Sequence, residues 1–273
     1  MKNTFKKLFI SFTVLSLTAC GSTTMQDNTF AAKENKDFTK YTNQLVVEYA
    51  ENDYTTMHQF FEHPEDYGID VNKVEISLGE FYTDNTDEIK EDQKELNKFN
   101  RSTLDKTQQT IYDELKYENE LSLKAENKKF QYLNNCWSTM SGLHQSLISV
   151  FSEYILRNEK DIQDLITLIN DVPRYTNDVL EYTKKQADKN TLQFDYDSVT
   201  QDIQDVINNK ADSSITSALY NAIDALNLDE EKTTSYKAQV KDAMDTSFFP
   251  SYQDMLDTLT SLQYNVQPLQ GLS

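Results

Sequence analysis

Five glycines and four prolines in 273 residues limit what this chain can fold into more than any motif does. Sandwiches and barrels need a turn every eight to twelve residues or so, and glycine or proline usually makes it. A chain this poor in both must build its core from longer elements. Leu, Lys, Asp and Glu are abundant, and the spacing of the apolar residues among them favours helices. The expected fold class is all-α, an irregular multi-helix domain with at most one short strand or hairpin.

Periodicity fills in that expectation. Phe38, Tyr41, Leu45 and Tyr49 form one apolar stripe, so a helix is expected from near Asp37. It should end before His63-Pro64, because the residue before proline disfavours the α region. Pro64 to Gly68 reads as a turn. Val74, Ile76 and Leu78 alternate with Glu75 and Ser77, as in a short strand or an extended loop. Thr83 to Asn97 is acidic and reads as solvated and partly helical. Ser102 is expected to open the next helix, with Asp105 three residues on as in a capping box. Leu104, Ile111 and Leu115 share its face. Lys128 to Ser141 reads as a loop or hairpin. Asn158 reads as an N-cap with Asp161 at the third position, ahead of Ile162, Leu165, Ile166 and Ile169. Asp171-Val172-Pro173 is expected to break that helix and start another reaching about Lys189. Further helices are marked by Val199 to Ile207, by Ile215 to Leu226 and by Asn227 and Glu230 as caps. A last one has Pro250 in its first turn and Tyr252, Met255, Leu259 and Leu262 on its stripe. No internal repeat of fixed period is found.

The amino terminus carries a different signal. Lys2, Lys6 and Lys7 precede an apolar run from Leu8 to Leu17, and Leu17-Thr18-Ala19-Cys20 follows. The run is roughly ten residues, too short to span a bilayer but suited to a signal h-region. This order is a lipoprotein signal peptide with a lipobox. The expected chemistry is diacylglyceryl transfer to the Cys20 thiol, then cleavage before Cys20. Cys20 is the assigned lipid-attachment residue. Residues 1–19 are then the signal peptide, 20–36 a flexible tether and 37–273 the helical domain. The expected location is the bacterial cell surface, or a membrane-anchored extracytoplasmic position.

The formal charge is −19, and the three lysines of the leader make the remainder more negative still. Such a chain repels phosphate backbones and anionic lipid, so nucleic acid is not an expected partner. The membrane partner would be reached through the lipid alone, at about 0.8 kcal/mol per buried methylene. With Cys20 acylated, Cys136 has no partner for an internal disulfide and reads as a packed thiol rather than a reactive one.

Candidate chemistry is sparse. His58-Gln-Phe-Phe-Glu62-His63 resembles a His-x-x-Glu-His zinc motif with one extra residue. Two ligands on one helix need a spacing of three or four, and His58 and His63 are five apart, about 140° around a helix. A helix-end histidine is the simpler reading, and His144 stands alone. Asp84-Asn85-Thr86-Asp87 and Asp195-Tyr196-Asp197 lack the glycine and closing glutamate of a calcium loop, and read as solvated acids or caps. The chain has no His-Glu-x-x-His, P-loop, Gly-x-Gly-x-x-Gly or Gly-x-Ser-x-Gly. The 16 tyrosines could line a groove, but several lie on helical stripes and fit core packing better.

Several phrases together resemble one family of bacterial lipoproteins, called domain of unknown function 885. They are His63-Pro-Glu-Asp-Tyr-Gly68, Ser77-Leu-Gly-Glu-Phe81, Gln108-Gln-Thr-Ile-Tyr112, the run from Glu159 to Tyr175 and Pro250-Ser-Tyr-Gln-Asp-Met-Leu. They recur in order over about residues 37 to 264. One departure is Lys189-Asn190, where members often have glycine. The resemblance implies that complete members are about twice this length. Their second half carries a His-Glu-x-x-x-Gly-His-like segment and looks like that of a zinc metallopeptidase. No histidine here aligns with that segment, so no catalytic, metal or cofactor residue is carried over. Zinc is expected only in complete members.

Two functions follow as expectations. In the first, the chain is a lipid-anchored, non-catalytic N-terminal scaffold half of a peptidase-like lipoprotein, with a missing or separately encoded catalytic half as partner. It should then expose an apolar face larger than is usual on a monomer. The alternative is a stand-alone peptide- or glycan-binding surface lipoprotein.

Overall fold

The structure, a computed structural model, describes residues 33–81 and 85–268. In chain order the helices are α1 (Lys36–Asn52), α2 (Tyr54–Phe60), α3 (Thr86–Leu96), α4 (Lys106–Ala125) and α5 (Leu143–Ser152). They continue with α6 (Glu159–Asp188), α7 (Tyr196–Asn208), α8 (Ser214–Ala225), α9 (Glu230–Ala243) and α10 (Phe249–Ser261). Among the described residues the chain is all-α, its sole β pairing being an isolated bridge between Gln193 and Gln267. Val74 to Leu78 alternate in sequence but run as an extended loop, because the Leu78 N–H bonds to the Asp171 carboxylate, not to a neighbouring strand (2.8 Å).

The residues cluster in two compact units. Unit 1 takes in the described parts of residues 1–52, 64–73 and 82–131, and unit 2 those of 53–63, 74–81 and 132–273. In unit 1, α3 packs on α4, and Phe38 and Leu45 of α1 join Leu96, Ile111, Tyr112 and Leu115 in one apolar cluster. Phe99 meets Phe38 edge to face with centroids 5.2 Å apart. Helix α4 starts at Asp105, not Ser102. The Asp105 carboxylate accepts from the Gln108 N–H (2.8 Å) while the Gln108 amide reaches back, a full capping box. Ser102 lies in the preceding 3₁₀ turn, under an Asn100 cap.

The stretch expected as one helix from Asp37 to His63 is two. Asp53 adopts extended backbone and its carboxylate accepts from the Thr56 N–H, so it caps α2 instead of continuing α1. Asn158 caps α6 as expected, bonding the N–H groups of both Lys160 and Asp161. Asp229 caps α9, leaving Asn227 to end α8 in the left-handed region at φ 52°.

Helix α6 is the spine of unit 2, packed by α9, α10 and the π-helical turn Met244–Phe248 that joins them. Proline does not break it: α6 runs 30 residues straight through Pro173. The apolar stripe is the reason. Ile162, Leu165, Leu168, Ile169 and Val172 before the proline, and Val179 and Leu180 after it, are all buried. Each such side chain is worth about 1.5–3 kcal/mol, and together they outweigh the roughly 3 kcal/mol that an interior proline costs. Pro173 is itself exposed. Pro173→Ala is therefore expected to stabilise the protein by about 1–2 kcal/mol, the restored helix bond being offset partly by a freer unfolded chain. Urea unfolding with an unchanged slope would check this.

The far end of α6 closes in a Schellman motif. Asn190 sits at φ 55°, its N–H bonds the Ala187 carbonyl, and the Thr191 N–H bonds that of Gln186. Glycine adopts the left-handed region most easily, and asparagine is the next best residue there.

Candidate functional site

The richest polar cluster in unit 2 is built around His58. The i, i+4 spacing of α2 puts Tyr54 and His58 on one face, and their rings stack at 5.5 Å. On its other side the imidazole stacks on Tyr154 at 4.3 Å and 9°. Its Nε2 lies 2.7 Å from the Ile155 carbonyl. A carbonyl only accepts, so Nε2 carries the hydrogen. The Tyr54 hydroxyl donates to Asp164 of α6 (2.9 Å), leaving the Tyr154 hydroxyl to donate to Tyr54 (2.9 Å). Lys160 donates to the same Asp164 oxygen (2.5 Å). Arg157 donates to the His58 carbonyl (2.7 Å), and its backbone N–H bonds Asp161 (2.7 Å).

Against this cluster lies a cleft of about 150 Å³. Helix α2 contributes Thr55, His58 and Gln59 to its walls. The last turn of α5 and the segment after it contribute Val150, Glu153, Tyr154 and Ile155. The lining is mostly apolar.

A second buried imidazole, His144 of α5, lies over the Trp137 ring. Among the described residues neither ring nitrogen has a hydrogen-bond partner, and Nε2 is 3.6 Å from the Asp202 carboxylate. Its backbone carbonyl accepts from the Tyr252 hydroxyl (2.5 Å).

Burial pushes both imidazoles below the ordinary histidine range. Asp202 opposes the shift at His144. Bonding to Ile155 and the carboxylates of Asp161 and Asp164 oppose it at His58. Burial also raises the Tyr54 and Tyr154 hydroxyls, which stay protonated. The pH dependence follows. An unfolded chain takes up protons near the ordinary histidine value of 6.5 that the native state resists. Stability is thus complete above that pH and falls as the pH drops below it. In thermal unfolding between pH 7.5 and 5, roughly the span over which histidine titrates, His144→Phe should give a shallower decline than wild type.

The other sequence candidates separate. His63 and Glu62 are exposed beyond the end of α2, so the zinc-like spacing brings no ligands together. Among the described residues no three His, Cys, Asp or Glu side chains converge on a metal position. Asp195 caps α7 through the Ser198 N–H. Asp84 and Cys20 lie outside the described residues. Cys136 is buried, and its thiol is pushed up to about 12 by that burial. The tyrosine stack around His58 had only one local sign in the sequence, the Tyr54–His58 spacing. Tyr154, Arg157 and Asp164 are some hundred residues away along the chain.

A family described as bacterial protein of unknown function (DUF885) matches residues 67–269. No curated protein matches the chain. No solved structure matches it either. The matched segment takes in helices α3 to α10, with Asp164, Arg157 and the cleft wall from α5 among them. The chain belongs to this family of bacterial proteins.

Proposed function

We propose that the protein is an extracytoplasmic lipoprotein held at the membrane through Cys20, in which these helices act as a non-catalytic scaffold for a peptidase-like partner half. The observation that carries the anchor is the basic, apolar and Leu17-Thr18-Ala19-Cys20 order in the sequence. The scaffold role is supported by how the buried polar groups are used. Tyr54 is bound to Asp164, Trp137 to Thr183 and Arg157 to the His58 carbonyl, bonds that position elements of the fold. Tyr117 and Leu121, exposed one turn apart on α4, offer apolar surface of the kind a partner would cover.

Expression with labelled palmitate in a bacterial host tests the anchor. The wild type should carry label and partition into detergent, and Cys20→Ala should do neither. Equal labelling of both would refute the anchor. Chelator-sensitive peptidase activity in the purified chain would refute the scaffold role.

A further inference from the structure

We propose that the cleft beside the His58–Tyr154 stack binds a small organic cation, a single apolar ring or branched alkyl group carrying an ammonium. Its size sets the apolar part: about 150 Å³, and an interior cavity of that volume accepts a benzene ring. The stacked rings of Tyr154 and His58 and the aliphatic side chains of Val150 and Ile155 are all part of the wall. Phe60 and Ile155 stay exposed nearby in the same unit.

The charge of the ligand follows from three groups. Glu153 is the one carboxylate in the lining, and burial disfavours the charged forms of both His58 and Tyr154. Val150 and Glu153 also place the cleft at the carboxyl end of α5. The partial negative charge there favours a cation, and the last turn of α5 supplies no basic residue to meet it. Behind the cleft the Arg157 guanidinium bonds the His58 carbonyl and Lys160 bonds Asp164, while Asp161 accepts from the Arg157 backbone N–H; two cations and two carboxylates balance there, which leaves Glu153 to set the sign.

Benzylammonium, benzyl alcohol and benzoate present the same ring with positive, zero and negative charge. Titrated into the purified full chain at pH 7.5 and followed by ligand-observed NMR, benzylammonium should saturate in the millimolar range expected of about eight non-hydrogen atoms. Benzoate should bind at least about tenfold more weakly, a difference of about 1.4 kcal/mol. Glu153→Gln, an exposed change that spares the packing, should bring benzylammonium to the level of benzyl alcohol. Val150→Phe should fill the cleft and abolish binding of all three, with thermal unfolding run beside it to confirm folding. Equal binding of benzoate and benzylammonium would overturn the proposal. So would affinity indifferent to Glu153→Gln, saturation by glucose but not by benzylammonium, or no saturable binding at all. Loss of palmitate labelling would leave each of these results unchanged, so failure of the anchor and failure of the cleft are separable.

Discussion

Trp137→Ala is expected to destabilise unit 2 by about 4 kcal/mol, the upper range for removing a buried aromatic side chain. The residue is 1% exposed, in a stretch without regular structure between α4 and α5. Its indole N–H donates to the Thr183 hydroxyl (2.9 Å), which in turn donates to the Val179 carbonyl of α6 (2.8 Å). The ring stacks on His144 and leans on Phe194. The substitution thus removes a large apolar body and also leaves the buried Thr183 hydroxyl oxygen without the donor it accepts from. Elsewhere the loop is held by polar contacts from α6. The Asn134 N–H donates to the Tyr182 hydroxyl, and the Gln186 amide donates to the carbonyls of Tyr132 and Asn134. Trp137→Phe keeps most of the ring and loses the indole bond, so a cost of about 1–2 kcal/mol is expected. Trp137 is the one tryptophan of the chain. The comparison therefore calls for urea unfolding followed by far-ultraviolet circular dichroism. Equal stability of wild type and Trp137→Ala would show that the loop is not held from this point.

Asp164→Ala should cost about 2–3 kcal/mol, because a charged acceptor is withdrawn from a buried hydroxyl. Asp164 is 5% exposed, and Tyr54, which it serves, is 4% exposed. Lys160 contributes little, since its side chain is 70% exposed and such pairs are worth less than about 1 kcal/mol. A double-mutant cycle isolates the bond. Tyr54→Phe should cost less in the Asp164→Ala background than in the wild type, by about 1–2 kcal/mol. Additive effects would mean that the two side chains do not interact. Lys160→Met should move the midpoint only slightly.

Sequence reading served best where a side chain answers a neighbour on its own segment. The Asn158 cap, the stripe from Ile162 to Ile169 and the packed Cys136 thiol all depend on short spacing or simple burial. It failed where distant packing overrode local preference. Pro173 should end a helix, yet the apolar stripe on both sides carries α6 through it. Asp53 reads as one more residue of a helix and instead starts a new one. The alternation from Val74 to Leu78 left a short strand and an extended loop both open. The Leu78 N–H and the Gly79 carbonyl bond Asp171 and Arg174 on α6, which decides for the loop, and no spacing within the segment could reveal that. The His58 site was hidden for the same reason. Its geometry is assembled from α2, α6 and the segment between α5 and α6, and the histidine spacing that drew notice plays no part in it.

The buried thiol of Cys136 gives the molecule its own clock. At neutral pH the sulfur is both shielded and almost wholly protonated. A thiol reagent can reach it only during an excursion that lifts the Trp137 loop from α6. The one other cysteine, Cys20, would not compete if it carries lipid as proposed. The slow uptake of one label per chain would then count openings of unit 2, and pH, ligand or membrane attachment would each change its rate.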